Sequence, residues 1–179
     1  MPLDTGMPAS ADAEAVLVTG VYGAGKSTVV ADIGGLLERR GEHYGVLDVD
    51  WLGWFNAAGG ADEHQRVLLS NVRSVCSAYL NVGVRRLALA HAVEDGAQLD
   101  ALRVAVAVPV RVVRLEVSAD LIEQRLSIDP TQERRQDDLR VAQEWMSARR
   151  GVGLEDLVLP GDQPVRRTSE AICSWLGWI

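Results

Sequence analysis

The stretch from Thr19 to Thr28, Thr-Gly-Val-Tyr-Gly-Ala-Gly-Lys-Ser-Thr, constrains this chain more than any other part of it. Glycines at positions 20, 23 and 25 let a backbone curl so tightly that consecutive N–H groups point inward, and such a ring attracts anions. The arrangement needs a buried strand before it and a helix after it, because the helix adds its positive N-terminal end. Both flanks fit. Ala15 to Gly20 is nearly continuous in apolar residues, as a strand covered on both faces must be. A helical pattern runs from Lys26 to about Arg40, with Gly41 as a C-terminal stop.

Gly20, Gly25, Lys26 and Ser27 satisfy the spacing G-x-x-x-x-G-K-[ST], which wraps the phosphates of a nucleotide. Lys26 is the one lysine among 18 basic residues, all others being arginine. A pressure that favoured arginine everywhere else fails here for a physical reason. The loop needs a compact ammonium reaching the β and γ phosphates, and a planar guanidinium does not replace it. The expected nucleotide contacts are Gly20, Tyr22, Gly23, Ala24, Gly25, Lys26, Ser27 and Thr28, with the Ser27 hydroxyl as a Mg²⁺ ligand.

The 179 residues, 47% of them apolar, suffice for one domain with a real core and leave no room for a second. Residues 1–13 read as a loose tail and 14–179 as the domain. A net charge of -7 disfavours a protein that coats nucleic acid or an anionic membrane. No apolar run approaches the roughly 20 residues of a membrane span. Cys76 and Cys173, far apart and in no C-x-x-C pattern, read as buried thiols, which suits the cytoplasm.

Further strands are expected at Tyr44–Asp50, Arg86–Val93, Arg111–Val117 and Asp156–Pro160. Helices are expected at Asp62–Leu80, Gln98–Val106, Asp120–Leu126 and Leu139–Arg150, with a last one closing the chain. The alternation predicts an α/β fold with a parallel five-stranded sheet. Gly34 and Gly35 inside the first helix point to close packing.

In a parallel sheet, ligands gather at the carboxyl ends of strands. Asp48 and Asp50 end the second strand two residues apart, so an extended chain turns both toward the phosphate loop. One carboxylate there can hold a metal-bound water and the other can take a proton from an acceptor hydroxyl. Trp51, Trp54 and Phe55 follow at once, either as the apolar wall of an acceptor pocket or as core. Arg125, Arg134, Arg135 and Arg140 surround a polar stretch at 127–138, where they either offset charge from a closing flap or pair with neighbouring acids on a solvated surface. His91 sits at the end of the third strand as a core or acceptor-site histidine, and Glu94 and Asp95 lie close behind it. Pro160–Pro164, with Asp162 inside, is either a rest for an adenine ring or an ordinary turn.

With these residues in place the layout, from Val16 nearly to the C-terminus, resembles the P-loop small-molecule kinases: nucleoside and nucleotide kinases, shikimate and gluconate kinases, adenylylsulfate kinase and chloramphenicol phosphotransferase. The resemblance implies a three-layer P-loop NTPase fold, strand order 2-3-1-4-5, helices on both faces and a small arginine-bearing lid at about 127–138. Asp48-Val49-Asp50 is similar to the D-x-D of the shikimate branch, which implies Asp48 for the metal and Asp50 for the acceptor hydroxyl. It further implies ATP and Mg²⁺ as cofactors, and Lys26, Asp50, Arg125, Arg134 and Arg135 as the catalytic set. Two departures stand out: Trp51 replaces the Asn of the adenylylsulfate branch, and the glycine-rich turn after strand three is missing. The expected activity is transfer of the γ-phosphate of ATP to a small metabolite or antibiotic, by a monomer or homodimer. The rivals are a nucleotide-dependent binding, resistance or switch module and an NTPase that uses water.

Overall fold

The structure, a computed structural model, describes residues 12–56, 59–126 and 132–179, and for 132–136 the backbone alone. Of the expected tail, residues 1–11 lie outside the described part, and Ala13 is already buried.

Strand β1 (Glu14–Thr19) is the centre of the molecule because its sequence has no polar face to offer water. Its residues Ala15 to Val18 are fully buried. Side chains alternate along a strand, so Val16 and Val18 face one layer while Ala15 and Leu17 face the other. On the first side they meet α1 (Lys26–Arg39) and α7 (Val165–Leu176) through Val30, Ile33, Leu37 and Ile172. On the second they meet α3 (Ala61–Asn81) and α4 (Gly96–Val106) through Leu68, Val72, Cys76, Leu99 and Leu102. Two apolar layers around one sheet give the three-layer architecture.

The sheet also holds β2 (Tyr44–Asp48), β3 (Arg86–Ala90), β4 (Val110–Glu116) and β5 (Leu157–Pro160), in the order β2-β3-β1-β4-β5. Every pairing is parallel. The implied strand order is therefore found. Of the two helical glycines, Gly34 is the packed one: a Cβ there would lie 2.6 Å from Val46 Cγ2, whereas at Gly35 it would meet only the tip of Arg39.

Three expectations need correction. Strand β2 ends at Asp48, two residues early, because the Asp48 side chain accepts the Asp50 N–H (3.2 Å) and starts the single turn α2 (Val49–Leu52). Strand β3 ends at Ala90 rather than Val93; beyond it the Val93 N–H turns to the Thr19 hydroxyl (3.2 Å). After α5 (Ala119–Leu126), residues 127–131 of the expected lid lie outside the described part, and 132–138 belong to α6 (Gln132–Ser147). The Gln, Glu, Arg and Asp that make this stretch polar include good helix formers, and no Gly or Pro interrupts them after Pro130.

Candidate active site

The chain leaves β1 and passes through residues 20–25 before entering α1, and its backbone conformation explains its glycines. Gly20 has φ 137, and a Cβ there would lie 2.8 Å from the Leu115 carbonyl oxygen, so both torsion and space demand glycine. Gly25, with φ 96, caps the first turn of α1 in the left-handed region. Lys26, 6% exposed, curls back over the loop and donates to the carbonyls of Gly20 (3.1 Å) and Val21 (3.0 Å). Burial pulls the ammonium pKa below its ordinary value, and the charges of Asp50 and Asp48 resist that without cancelling it.

Lys26 and Asp50 line the same cleft of 250 Å³, together with Tyr22, Gly23, Gly25, Ser27, Thr28 and Leu126. The loop and the acid after β2 are thus brought together. Asp50 reaches the cleft from α2, not from an extended strand as the i, i+2 argument supposed. Its Oδ1 lies 2.7 Å from His91 Nδ1, on the residue that follows β3. Burial alone raises the Asp50 carboxyl, but the His91 hydrogen bond and the charges of His91 and Lys26 outweigh it and hold the group below the usual carboxylate range. Asp50 is therefore an anion at neutral pH.

Asp48 is engaged as the cap of α2 and does not line the cleft. Among the described residues no group of three or more His, Cys, Asp or Glu side chains is placed to hold a metal ion. Glu94 pairs with Arg150, and Asp95 caps α4 by accepting the Gln98 N–H (2.9 Å). Of these three residues after β3, only His91 touches the carboxylate.

Arg125, expected to face transferred charge, is spent on main-chain carbonyls: Nη1 donates to Gly23 (3.3 Å) and Ala24 (3.0 Å), and Nη2 to Gly161 (2.6 Å). It ties the phosphate loop to the turn after β5, beside a cavity of 320 Å³ whose wall includes Gly25, Thr28, Arg125, Gly161 and Gln163. Asp162 turns away from that cavity and lines a different one with Glu116, Ser118 and Leu121. The backbone of Arg134 and Arg135 belongs to α6; their side chains lie outside the described residues. Arg140 pairs with Glu144 (2.8 Å) on the surface of α6.

Trp51 and Trp54 are 66% and 71% exposed, with ring centroids 4.9 Å apart, so they are not core. Phe55 stacks on His64 (centroids 4.7 Å apart, 15° between planes), whose Nε2 lies 2.7 Å from the Gly53 carbonyl oxygen. His64 braces the turn that carries the two tryptophans; a histidine at the start of a helix gives no sequence signal for this.

The sequence profile of the family described as methylmalonyl Co-A mutase-associated GTPase MeaB matches residues 3–84, less than half of the chain. No curated protein matches it. Among solved structures, a sugar kinase from Janibacter sp. superposes with a TM-score of 0.62 at 20% identity, covering 92% of this chain and 95% of its own. The tunicamycin resistance protein of Deinococcus radiodurans gives 0.67 at 14% identity, with 92% and 96% covered. The Mycobacterium tuberculosis APS kinase CysC, in complex with AMPPNP and APS, gives 0.59 at 18% identity, with 93% and 98% covered. At such identities these likenesses speak for the fold. By its loop, its sheet order and its structural neighbours, the chain has a P-loop NTPase-like fold, the fold of the small-molecule kinases it superposes on.

Proposed function

We propose that the chain is an ATP-dependent small-molecule kinase, and one observation carries this: an ionised carboxylate, Asp50, shares a cleft of 250 Å³ with Lys26 and the phosphate loop. A carboxylate facing the lysine across this cleft is placed to take the proton of an acceptor hydroxyl. In the proposed reaction the loop amides and Lys26 hold the β and γ phosphates, and the acceptor hydroxyl sits between Asp50 and the γ-phosphorus. As the new O–P bond forms and the bond to the leaving oxygen breaks, the hydroxyl proton passes to Asp50. The APS kinase bound to AMPPNP supports the choice of an adenine nucleotide.

The cavity beside the loop supports it too, since among the described residues no carboxylate lines it. Guanine presents two N–H donors that a buried site answers with a carboxylate, and Gln163 offers only a neutral amide. Mg²⁺ keeps most of its waters and takes few protein ligands besides the substrate phosphates. The Ser27 hydroxyl on the cleft suits it, and Asp48 is proposed as the second residue to hold it, in place of its cap on α2. When bound, the ion would screen the phosphate charge. Arg134 and Arg135 keep their proposed role of offsetting transferred charge, and Trp51 and Trp54 are proposed to form an apolar wall for the acceptor.

The match to the MeaB profile favours a second reading, an NTPase with water as acceptor. Consumption of ATP and of GTP, each with and without pooled metabolites and antibiotics, separates them. ATP turnover that depends on the pool supports the kinase; turnover that ignores it, or prefers GTP, supports the NTPase and removes the kinase.

A further inference from the structure

The phosphate loop and Asp50 account for the cleft but leave His91 unexplained. Its side chain is 18% exposed, while that of Asp50 is 54% exposed. The histidine is also the better anchored of the two. Its N–H donates to the Val18 carbonyl (3.2 Å) at the exit of the central strand, whereas Asp50 rides on a single helical turn. A fixed group beside a loosely mounted one sets the orientation of the second. Asp50 Oδ1 and His91 Nδ1 lie 2.7 Å apart, a hydrogen bond in which the ring N–H donates and the side-chain oxygen of Asp50 accepts.

Resting on the kinase reading above, we infer that His91 is a positioning residue: it holds Asp50 through Oδ1 and leaves Oδ2 as the one oxygen that meets the acceptor hydroxyl. An exposed aspartate on a short turn otherwise samples about three side-chain rotamers and swings either oxygen toward solvent. With the imidazole in place the carboxylate faces the lysine side of the cleft in a single pose, and the acceptor has one direction of approach. The residue acts through Asp50 and touches neither phosphate nor acceptor.

The first test needs no turnover. The ring nitrogens of the three histidines, His43, His64 and His91, are followed by ¹⁵N NMR in the full chain without nucleotide, with His91→Asn used for assignment. The expected result is a His91 that carries a proton on Nδ1, which shifts to the Nε2–H form in Asp50→Ala. A wild-type His91 protonated on Nε2, or one indifferent to Asp50→Ala, overturns the inference. The second test follows phosphate release from MgATP, with water as acceptor. His91→Ala is expected to lower kcat about 10- to 100-fold with KM for MgATP within about twofold. His91→Asn, whose amide reaches the Nδ1 position, is expected to recover most of that loss. A His91→Ala protein as fast as wild type, or an asparagine variant no better than alanine, overturns the positioning role. Wild-type protein inert toward MgATP under every condition overturns the kinase reading instead, and the nitrogen spectra still decide whether His91 holds Asp50.

Discussion

Lys26 and Asp50 show how little freedom single side chains have at this site. The ammonium is buried and satisfied by two carbonyls of its own loop, so its removal takes a charge from the cleft without opening the core. Lys26→Ala is expected to lower MgATP turnover by at least about 100-fold while the urea midpoint stays within about 0.5 M of wild type. Equal turnover in the variant would remove the phosphate assignment. Asp50→Asn keeps the shape and loses the base: kcat is expected to fall about 100- to 10,000-fold, with the MgATP dissociation constant, measured by calorimetry, changed less than about threefold. Parallel loss of both would make Asp50 a structural residue. The identity of Lys26 could be read directly from the sequence, because the loop acts through consecutive residues. The partner of Asp50 could not, since His91 lies 41 residues away and meets it only because β2 and β3 are neighbours.

The elements around the site are held by close approaches that single substitutions can probe. Helix α1 lies on β2 with Gly34 against Val46 and Tyr44, and an added methyl would have to displace a side chain at 2.6 Å. Gly34→Ala gains helix propensity of up to about 1 kcal/mol but forces overpacking worth about 1–3 kcal/mol, so net destabilisation is expected by urea unfolding. A more stable variant would show that α1 can lift from the sheet. Arg125 joins α5 to the phosphate loop and the β5–α7 turn through three carbonyls. Arg125→Ala is expected to weaken MgATP binding about 10-fold or more, with amide exchange rising first at Gly23–Gly25 and Gly161. Unchanged exchange there would mean that the loop keeps its shape without the strut. Helix propensity explains why α6 starts at Gln132, inside the polar stretch, rather than at Leu139. Capping explains the early end of β2, where one Asp48 oxygen turned an extended pattern into a helical turn.

At the scale of the whole molecule, both thiols are shut into the two apolar layers, Cys76 under α3 and Cys173 under α7. Burial, the one cause for Cys76 and the largest for Cys173, pushes both thiols up to about 11. A raised thiol pKa means the neutral form persists through pH 8, and only the thiolate reacts. Native protein at pH 8 is expected to leave both cysteines unlabelled by a thiol reagent, with two equivalents taken up in denaturant. Rapid native labelling would show that one layer opens.

The nucleotide loop, the α/β class and the covered central strand were determined by the sequence alone, because each rests on neighbours in the chain: periodic apolar residues, glycines with positive φ, and amides that converge within one turn. Which acid reaches the lysine, what orients it, and where Arg125 and Asp162 point were decided only by the tertiary structure. Those contacts join residues 24 to 102 positions apart, and pairing of that span depends on which strands lie side by side, a choice made by burial of both sheet faces at once.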